Sequence, residues 1–215
     1  MMNKILAIYK PKGPTSHDII NQLRKITGIK KIGHAGTLDP LARGVLVVGI
    51  GREATKRLNN VVQKEKEYIA TIKLGEESTT DDQEGAKKKT KVAKKPMLAE
   101  VKKTVSRFKG EISQRPPDYS AVKIKGKKAY QLARKGEKVN LASRKVEIKE
   151  IEILQYQWPY LRLRAVTGPG VYIRSLARDI GSKLQTGALL ADLERTRVGS
   201  FTKEKSIQLE ELKNG

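Results

Sequence analysis

Apolar positions along this chain fall into two periods. Ile5-Leu6-Ala7-Ile8-Tyr9 is a short apolar run that predicts a strand, and Lys10-Pro11-Lys12-Gly13-Pro14 behind it predicts a turn. Ile19, Ile20, Leu23 and Ile26 then lie on one helical stripe, with Thr15 or Ser16 placed to cap it and Gly28 to end it. Val45-Leu46-Val47-Val48-Gly49-Ile50 is almost wholly apolar and predicts a central strand buried on both faces. A helix is expected over Glu53 to Val62. From Glu67 to Leu74 the period becomes two, with Tyr68, Ala70, Ile72 and Leu74 on one face of a strand.

Residues 81–97 break the pattern. Asp81-Asp82-Gln83-Glu84-Gly85 is turn-like, and Lys87, Lys88, Lys89, Lys91, Lys94 and Lys95 form a charge run. It reads as a solvated mobile loop, with an RNA-contacting arm as the sharper alternative. Leu98, Val101, Val105 and Phe108 predict an amphipathic helix. Beyond Pro116-Pro117, a short strand at Ser120 to Ile124, a basic turn and a helix from Ala129 to Arg134 predict a projecting segment with few core residues.

Val146 to Leu154 predicts a strand whose alternation slips phase between Ile148 and Ile151. Leu161 to Val166 alternates cleanly, and Tyr172 to Leu184 predicts a helix with Ile173, Leu176, Ile180 and Leu184 inward. A short helix at Leu189 to Glu194, a strand at Val198 to Phe201 and a helical stub at Ser206 to Leu212 complete the expectation. Mixed strands and helices without a strict βαβ repeat indicate the α+β class with a mixed sheet. No internal repeat or domain boundary is evident.

Charge narrows the function. Lys+Arg number 45 against 23 Asp+Glu, a formal net charge of +22 over 215 residues. An excess of that size attracts polyanions, and nucleic acid is the foremost candidate. The chain has no cysteine and only His17 and His34, which excludes disulfides and zinc–thiolate centres and argues against a histidine metal site. No apolar stretch approaches the roughly 20 residues of a membrane span, so the cytosol is the expected compartment.

Gly33, Gly36 and Gly44 bracket His34 and Asp39, implying unusual backbone in a loop able to bring a polar side chain into a cleft. Neither a Walker loop nor a dinucleotide fingerprint is present. Asp39 ahead of Pro40 either initiates a turn or serves chemistry, and the residues alone weigh the two evenly. Arg174 and Arg178 sit four apart on the helix face away from Ile173 and Leu176. They form a solvated basic face, or one of them enters a cleft to pair a carboxylate such as Asp39. Tyr68 is either core or a stacking platform for a base.

The run Gly33-His34-Ala35-Gly36-Thr37-Leu38-Asp39-Pro40-Leu41-Ala42, followed by Gly44-Val45-Leu46, resembles the catalytic motif of the TruB family of tRNA pseudouridine synthases. Further stretches resemble that family's motifs in the same order. They are Lys10 to Ser16, Lys66-Glu67-Tyr68, Pro116 to Lys123 with Gly126 and Ala129-Tyr130, Gly170 to Leu176, and Leu193-Glu194-Arg195-Thr196. Together they cover residue 5 to about residue 212.

The resemblance implies a pseudouridine synthase fold: a mixed central sheet flanked by helices, with a basic thumb at about 115–145. It implies one catalytic domain over 1–215. The small C-terminal RNA-binding domain that many members carry is not expected here, a departure from the family for which the +22 charge is expected to compensate. The implied reaction turns uridine into pseudouridine at the T-loop position of tRNA conventionally numbered 55, without cofactor or metal, on a base flipped out of its stack. Asp39 is the implied nucleophile, attacking the uracil ring or the ribose C1′. Tyr68 stacks on the base and Arg174 pairs with Asp39. Leu193 lines the base pocket, His34 enters the T-loop, and Lys10, Gly36 and Tyr172 complete the implied substrate-binding set. The implied partner is the tRNA T-arm, engaged by a monomer without obligatory protein subunits. A non-catalytic RNA-binding or RNA-folding protein of the same fold is the alternative. Departures from the family pattern are Arg43, which stands where a small residue is usual, and Pro169 and Val171 around Gly170, where threonine commonly follows.

Overall fold

The computed structural model describes residues 3–124 and 126–212. In chain order these form β1 (Lys4–Lys10), α1 (Ser16–Thr27), β2 (Ile32–His34), β3 (Ala42–Ile50), α2 (Arg52–Val62) and β4 (Lys66–Leu74). Next come β5 (Glu76–Ser78), β6 (Lys87–Lys89), α3 (Leu98–Ser106), β7 (Gly110–Gln114), β8 (Lys123–Ile124), β9 (Lys127–Lys128) and α4 (Ala129–Arg134). The last are β10 (Arg144–Gln157), β11 (Tyr160–Thr167), α5 (Ile173–Lys183), β12 (Ala188–Val198) and β13 (Phe201–Thr202). The chain divides into two compact units. One comprises Met1–Ile69, Val166–Pro169 and Asp192–Gly215, the other Ala70–Ala165 and Gly170–Ala191.

In the first unit β3 is central. β1 runs antiparallel along one edge of it, in register from Lys4 opposite Ile50 to Lys10 opposite Gly44. β12 pairs with β3 in parallel, Leu193 opposite Ala42 and Arg195 opposite Gly44, and β2 pairs antiparallel at Ile50 to Val48. A parallel neighbour and antiparallel neighbours on one strand make the sheet mixed. Burial on both faces explains why Val45, Leu46, Val47 and Val48 are all apolar. α1 starts where the side chain of Thr15 accepts from the Asp18 amide and the Asp18 carboxylate accepts from the Thr15 amide, a reciprocal capping box. It ends at Gly28 in the left-handed conformation, φ 68°.

In the second unit the hydrogen-bonded strand order is β4-β11-β10-β7. β4 runs from the first unit, which holds its residues up to Ile69, into the second; along it Tyr68, Ala70, Ile72 and Leu74 are buried and the intervening residues less so, as the alternation predicts, and Lys66 is buried on the same face. The phase slip in β10 is also present: Val146 and Ile148 are buried, then Ile151 and Ile153 take the inward positions.

Several expectations fail for identifiable reasons. Leu189 to Glu194 is part of the long strand β12 and not a helix. A short apolar run buried on both faces has no period that separates the two states. The expected strand at 198–201 is the end of β12, a two-residue turn and β13. The expected stub at 206–212 is irregular, held by Ile207, which donates to Ala7 O and accepts from Tyr9 N at 3.0 Å each. The lysine run is solvated but is not a loop at its start, because Lys87–Lys89 pairs with Glu76–Ser78 as β6. Leu98 is 46% exposed while Val101, Val105 and Phe108 pack inward. The segment expected to project has a small core of its own, in which Ala129, Val139 and Leu141 are packed by Val122, Ile124, Leu132 and Ala133. Lys125 of its expected turn lies outside the described residues.

Candidate active site

Between β2 and β3 the chain makes a seven-residue connection carrying Asp39. Asp39 is partly buried, and its backbone carbonyl accepts from the Ala42 amide at 3.0 Å. The turn reading of Asp-Pro is therefore correct as far as it goes, since this turn launches β3.

Two motifs remote in sequence hold the same connection. From the N-terminal side, the buried hydroxyl of Ser16 donates to Leu38 O at 2.9 Å and accepts from Leu38 N at 2.8 Å, and Gly13 N donates to Pro40 O at 2.8 Å. From β12, the guanidinium of Arg195 donates to Val45 O at 2.7 Å, Gly36 O at 3.1 Å and Thr37 O at 3.5 Å. Arg195 is 1% exposed, and among the described residues it makes no ion pair. Gly36, at φ 88°, supplies backbone that only glycine adopts cheaply. Gly44, at φ 113°, lies so close to β12 that an added Cβ would sit 2.2 Å from Arg195 O.

The other expected residues of this unit divide by exposure. Leu193 is buried in β12 opposite Ala42, and Tyr68 is buried on the inward face of β4. Lys10 is fully buried, its ammonium donating to Pro11 O at 2.9 Å and Pro14 O at 2.7 Å, so it shapes the turn ahead of α1. Lys66 is 8% exposed and donates to Val62 O and Lys64 O at 2.8 Å each, at the carbonyl end of α2. Burial, then the charge of Arg195, lowers its pKa from 10.5 to about 8. Burial, followed by Arg195 and His17, pushes the His34 imidazole below its ordinary range, so it is neutral at pH 7. Among the described residues its Nδ1 has no hydrogen-bond partner.

Arg43 is committed to protein. It donates to both carboxylate oxygens of Asp192 at 2.8 Å and lies 3.9 Å from Glu194, a carboxylate also bound by Tyr9 and Lys203.

Arg174 and Tyr172 belong to the second unit. Arg174 is 7% exposed, so the solvated-face reading of it is wrong. It donates to Thr80 O at 3.2 Å and Tyr119 O at 2.9 Å, and lies 3.5 Å from the buried carboxylate of Asp82. Its neighbour Arg178 pairs with Asp81 at 2.8 Å and donates to Arg115 O. Tyr172 precedes α5, exchanges hydrogen bonds with the Gln114 amide side chain, and has the Arg144 guanidinium 5.2 Å from its ring centroid. The sequence offers Ser16 only as an alternative to Thr15 for capping α1, and it points to no role for Arg195 or Asp82. The first two lay in motifs already quoted, and the third was read only as part of a turn.

A sequence model of the TruB family pseudouridylate synthase N-terminal domain matches residues 24–173, and one of the tRNA pseudouridylate synthase B C-terminal domain matches residues 174–215. This chain belongs to the TruB family. Among curated relatives, tRNA pseudouridine synthase B of Clostridium novyi is 48% identical over 212 residues, covering 98% of this chain and 72% of the relative. The Parabacteroides distasonis protein of that name is 46% identical over 219 residues, covering 97% and 91%. A solved Cbf5–Nop10–Gar1 complex contains a chain that is 31% identical with TM-score 0.77, aligned over 98% of this chain and 53% of its own length. The TruB-family chain thus has the pseudouridine synthase fold, and its mixed sheet and flanking helices are those the resemblance implied. No helix of the described residues is long and apolar enough to cross a membrane, and no described group of three or more His, Asp or Glu side chains is placed to hold a metal ion.

Proposed function

We propose that this chain isomerises the T-loop uridine at tRNA position 55 to pseudouridine, with Asp39 as the nucleophile. The observation that carries the reading is the loop of Asp39, fastened on one side by Ser16 and on the other by Arg195. A carboxylate that must meet one atom of a flipped base needs such fixed backbone. Reaction balance asks for no external reagent. The N1–C1′ bond breaks, a C5–C1′ bond forms, C5 gives up a proton and N1 gains one. A carboxylate nucleophile divides that exchange into two easier steps.

In this reading Tyr68 stacks against the flipped uracil, an interaction worth about 1–3 kcal/mol. Leu193 borders the base, His34 occupies the space the base leaves, and Arg174 orients the nucleophilic carboxylate. Gly36 lets the loop approach the RNA, while Lys10 acts through the turn it holds. Tyr172 positions the start of α5. The partner is the tRNA T-arm, met by a monomer in the cytoplasm.

The test is incubation of an unmodified tRNA transcript with the protein, followed by mapping of pseudouridine. Wild type should modify the T-loop uridine, and Asp39→Asn should bind the transcript and yield no product. Absence of product from wild type rejects the activity. Full activity of Asp39→Asn rejects the nucleophile.

A further inference from the structure

Six lysines fall within nine residues at 87–95, and no family motif accounts for them. All six are exposed, and among the described residues none has a carboxylate within ion-pair distance. Three acidic residues of the same stretch have basic partners outside the run. Glu76 pairs with Lys73 at 2.7 Å, Asp81 with Arg178 at 2.8 Å, and Asp82 lies 3.5 Å from Arg174. Across the ribbon Glu76 stands opposite Lys89 and Glu77 opposite Lys88, and the Lys73 ammonium, then the charges of Lys87 and Lys89, hold the Glu76 carboxyl below its ordinary range. The six lysines of the run outnumber the two glutamates of the facing strand.

The ribbon is also held rigid. Thr90 N donates to Gly75 O at 3.0 Å and Thr79 N to Ala86 O at 3.1 Å, which closes both ends of the β5–β6 pair. Its turn is packed from within. Asp82, 2% exposed, accepts from the Thr80 hydroxyl and the Glu84 amide, and Leu190 N donates to Asp81 O at 2.9 Å. Gly85 leaves no room for a side chain, since a Cβ would lie 2.5 Å from the Thr80 hydroxyl. Arg174 holds Thr80 O, so the base of the ribbon and a proposed catalytic side chain share one turn. In an extended strand alternate residues stand about 7 Å apart on one face, near the spacing of successive phosphates along one RNA strand. A flexible lysine tail loses conformational freedom on binding, and a strand already fixed loses far less.

We propose that the β5–β6 ribbon, through Lys87, Lys88 and Lys89 and continuing over Lys91, Lys94 and Lys95, is a grip on the phosphate backbone of the RNA substrate, separate from the thumb. This rests on the reading of tRNA as substrate. The grip is on phosphate and therefore sequence-independent; it adds affinity and salt dependence rather than base choice.

The test compares two triple variants of equal charge, K87Q/K88Q/K89Q on the ribbon and K102Q/K103Q/K109Q on and just after α3, where all three lysines are exposed. Unmodified tRNA transcript is titrated with each protein from low to high KCl, and anionic lipid vesicles are titrated in parallel. The ribbon variant should bind tRNA about 10-fold more weakly near physiological salt. Its slope of log affinity against log salt should flatten by about 2, at roughly 0.7–0.9 for each phosphate no longer neutralised. The α3 variant should stay within about twofold of wild type. Equal weakening in both variants, no weakening in the ribbon variant, or an effect confined to vesicle binding overturns the proposal. A wild type that binds tRNA without making pseudouridine refutes the activity above and leaves this comparison standing. A wild type that does not bind tRNA refutes both.

Discussion

The guanidinium of Arg195 donates to the carbonyl of Gly36 at 3.1 Å, three residues before Asp39, while its Nε holds Val45 O at 2.7 Å beyond it. One side chain thus fastens both ends of the segment that carries the proposed nucleophile. Lysine keeps the charge but cannot reach two carbonyls in a fixed fork. Arg195→Lys should therefore lower kcat on tRNA by about 100-fold, the scale of a 1 Å misplacement, with KM changed by less than about threefold. Steady-state kinetics well below the variant's Tm separates this from unfolding. A variant with a raised KM and an unchanged kcat would show that Arg195 serves binding and not loop position.

Ser16 closes the other side of the loop. Removing its buried hydroxyl leaves the Leu38 amide and carbonyl without their partner, at a cost of about 1–3 kcal/mol. Ser16→Ala should lower the urea midpoint accordingly. Ser16→Thr keeps the hydroxyl and should recover part of the loss. Equal stability of the alanine variant and wild type would mean that water substitutes at this site.

Backbone proximity makes a sharper case at Gly44. An alanine there places Cβ 2.2 Å from Arg195 O, against backbone that has no rotamer to yield, at φ 113°. Gly44→Ala should cost about 3 kcal/mol or more, combining overlap with positive-φ strain. Gly33→Ala, whose Cβ would meet Leu58 and Thr55 side chains at 3.4 and 3.6 Å, should cost less than about 1 kcal/mol. Thermal unfolding of both checks the contrast.

Lys66 ties pH to stability. Its folded-state pKa of about 8 lies below the ordinary 10.5. Between those values the folded chain binds fewer protons at this site than the unfolded chain, so the site's contribution to stability rises with pH. From pH 7.5 to 9.5 wild type should gain about 2 kcal/mol relative to Lys66→Met in urea unfolding. A difference that stays flat, or falls, would place the ammonium in a more solvated setting than its 8% exposure indicates.

How far the sequence could be read depended on whether a local pattern had one physical explanation. The alternation of β4 placed Tyr68 on an inward face because period two has no other common source. Thr15 or Ser16 marks the start of α1 because capping is a local contact, and the structure selects Thr15, whose hydroxyl accepts from the Asp18 amide. Leu189 to Glu194 misled because an apolar run buried on both faces carries no period, and its strand state is decided by pairing with Ala42 to Gly44. Arg174 could not be placed from its helix face, since its burial depends on Thr80 and Tyr119, far away in sequence. The roles of Ser16 and Arg195 were invisible for the same reason. Lys10, Lys66, Arg174 and Arg195 all carry charge, yet each is buried on main-chain carbonyls, so composition counted as RNA affinity some charge that holds backbone in place.

The parallel pairing of β12 with β3 has a consequence for how the chain comes into being. Arg195 and Val45 are 150 residues apart in sequence and bonded in the fold. On a ribosome adding about 5–20 residues each second, the Asp39 loop leaves the exit tunnel roughly 8–30 s before Arg195 does. The nascent chain passes that interval with Ser16 available and the second half of the clamp still unmade. It becomes competent only as its last strands emerge, so RNA met during translation meets a site that is not yet assembled.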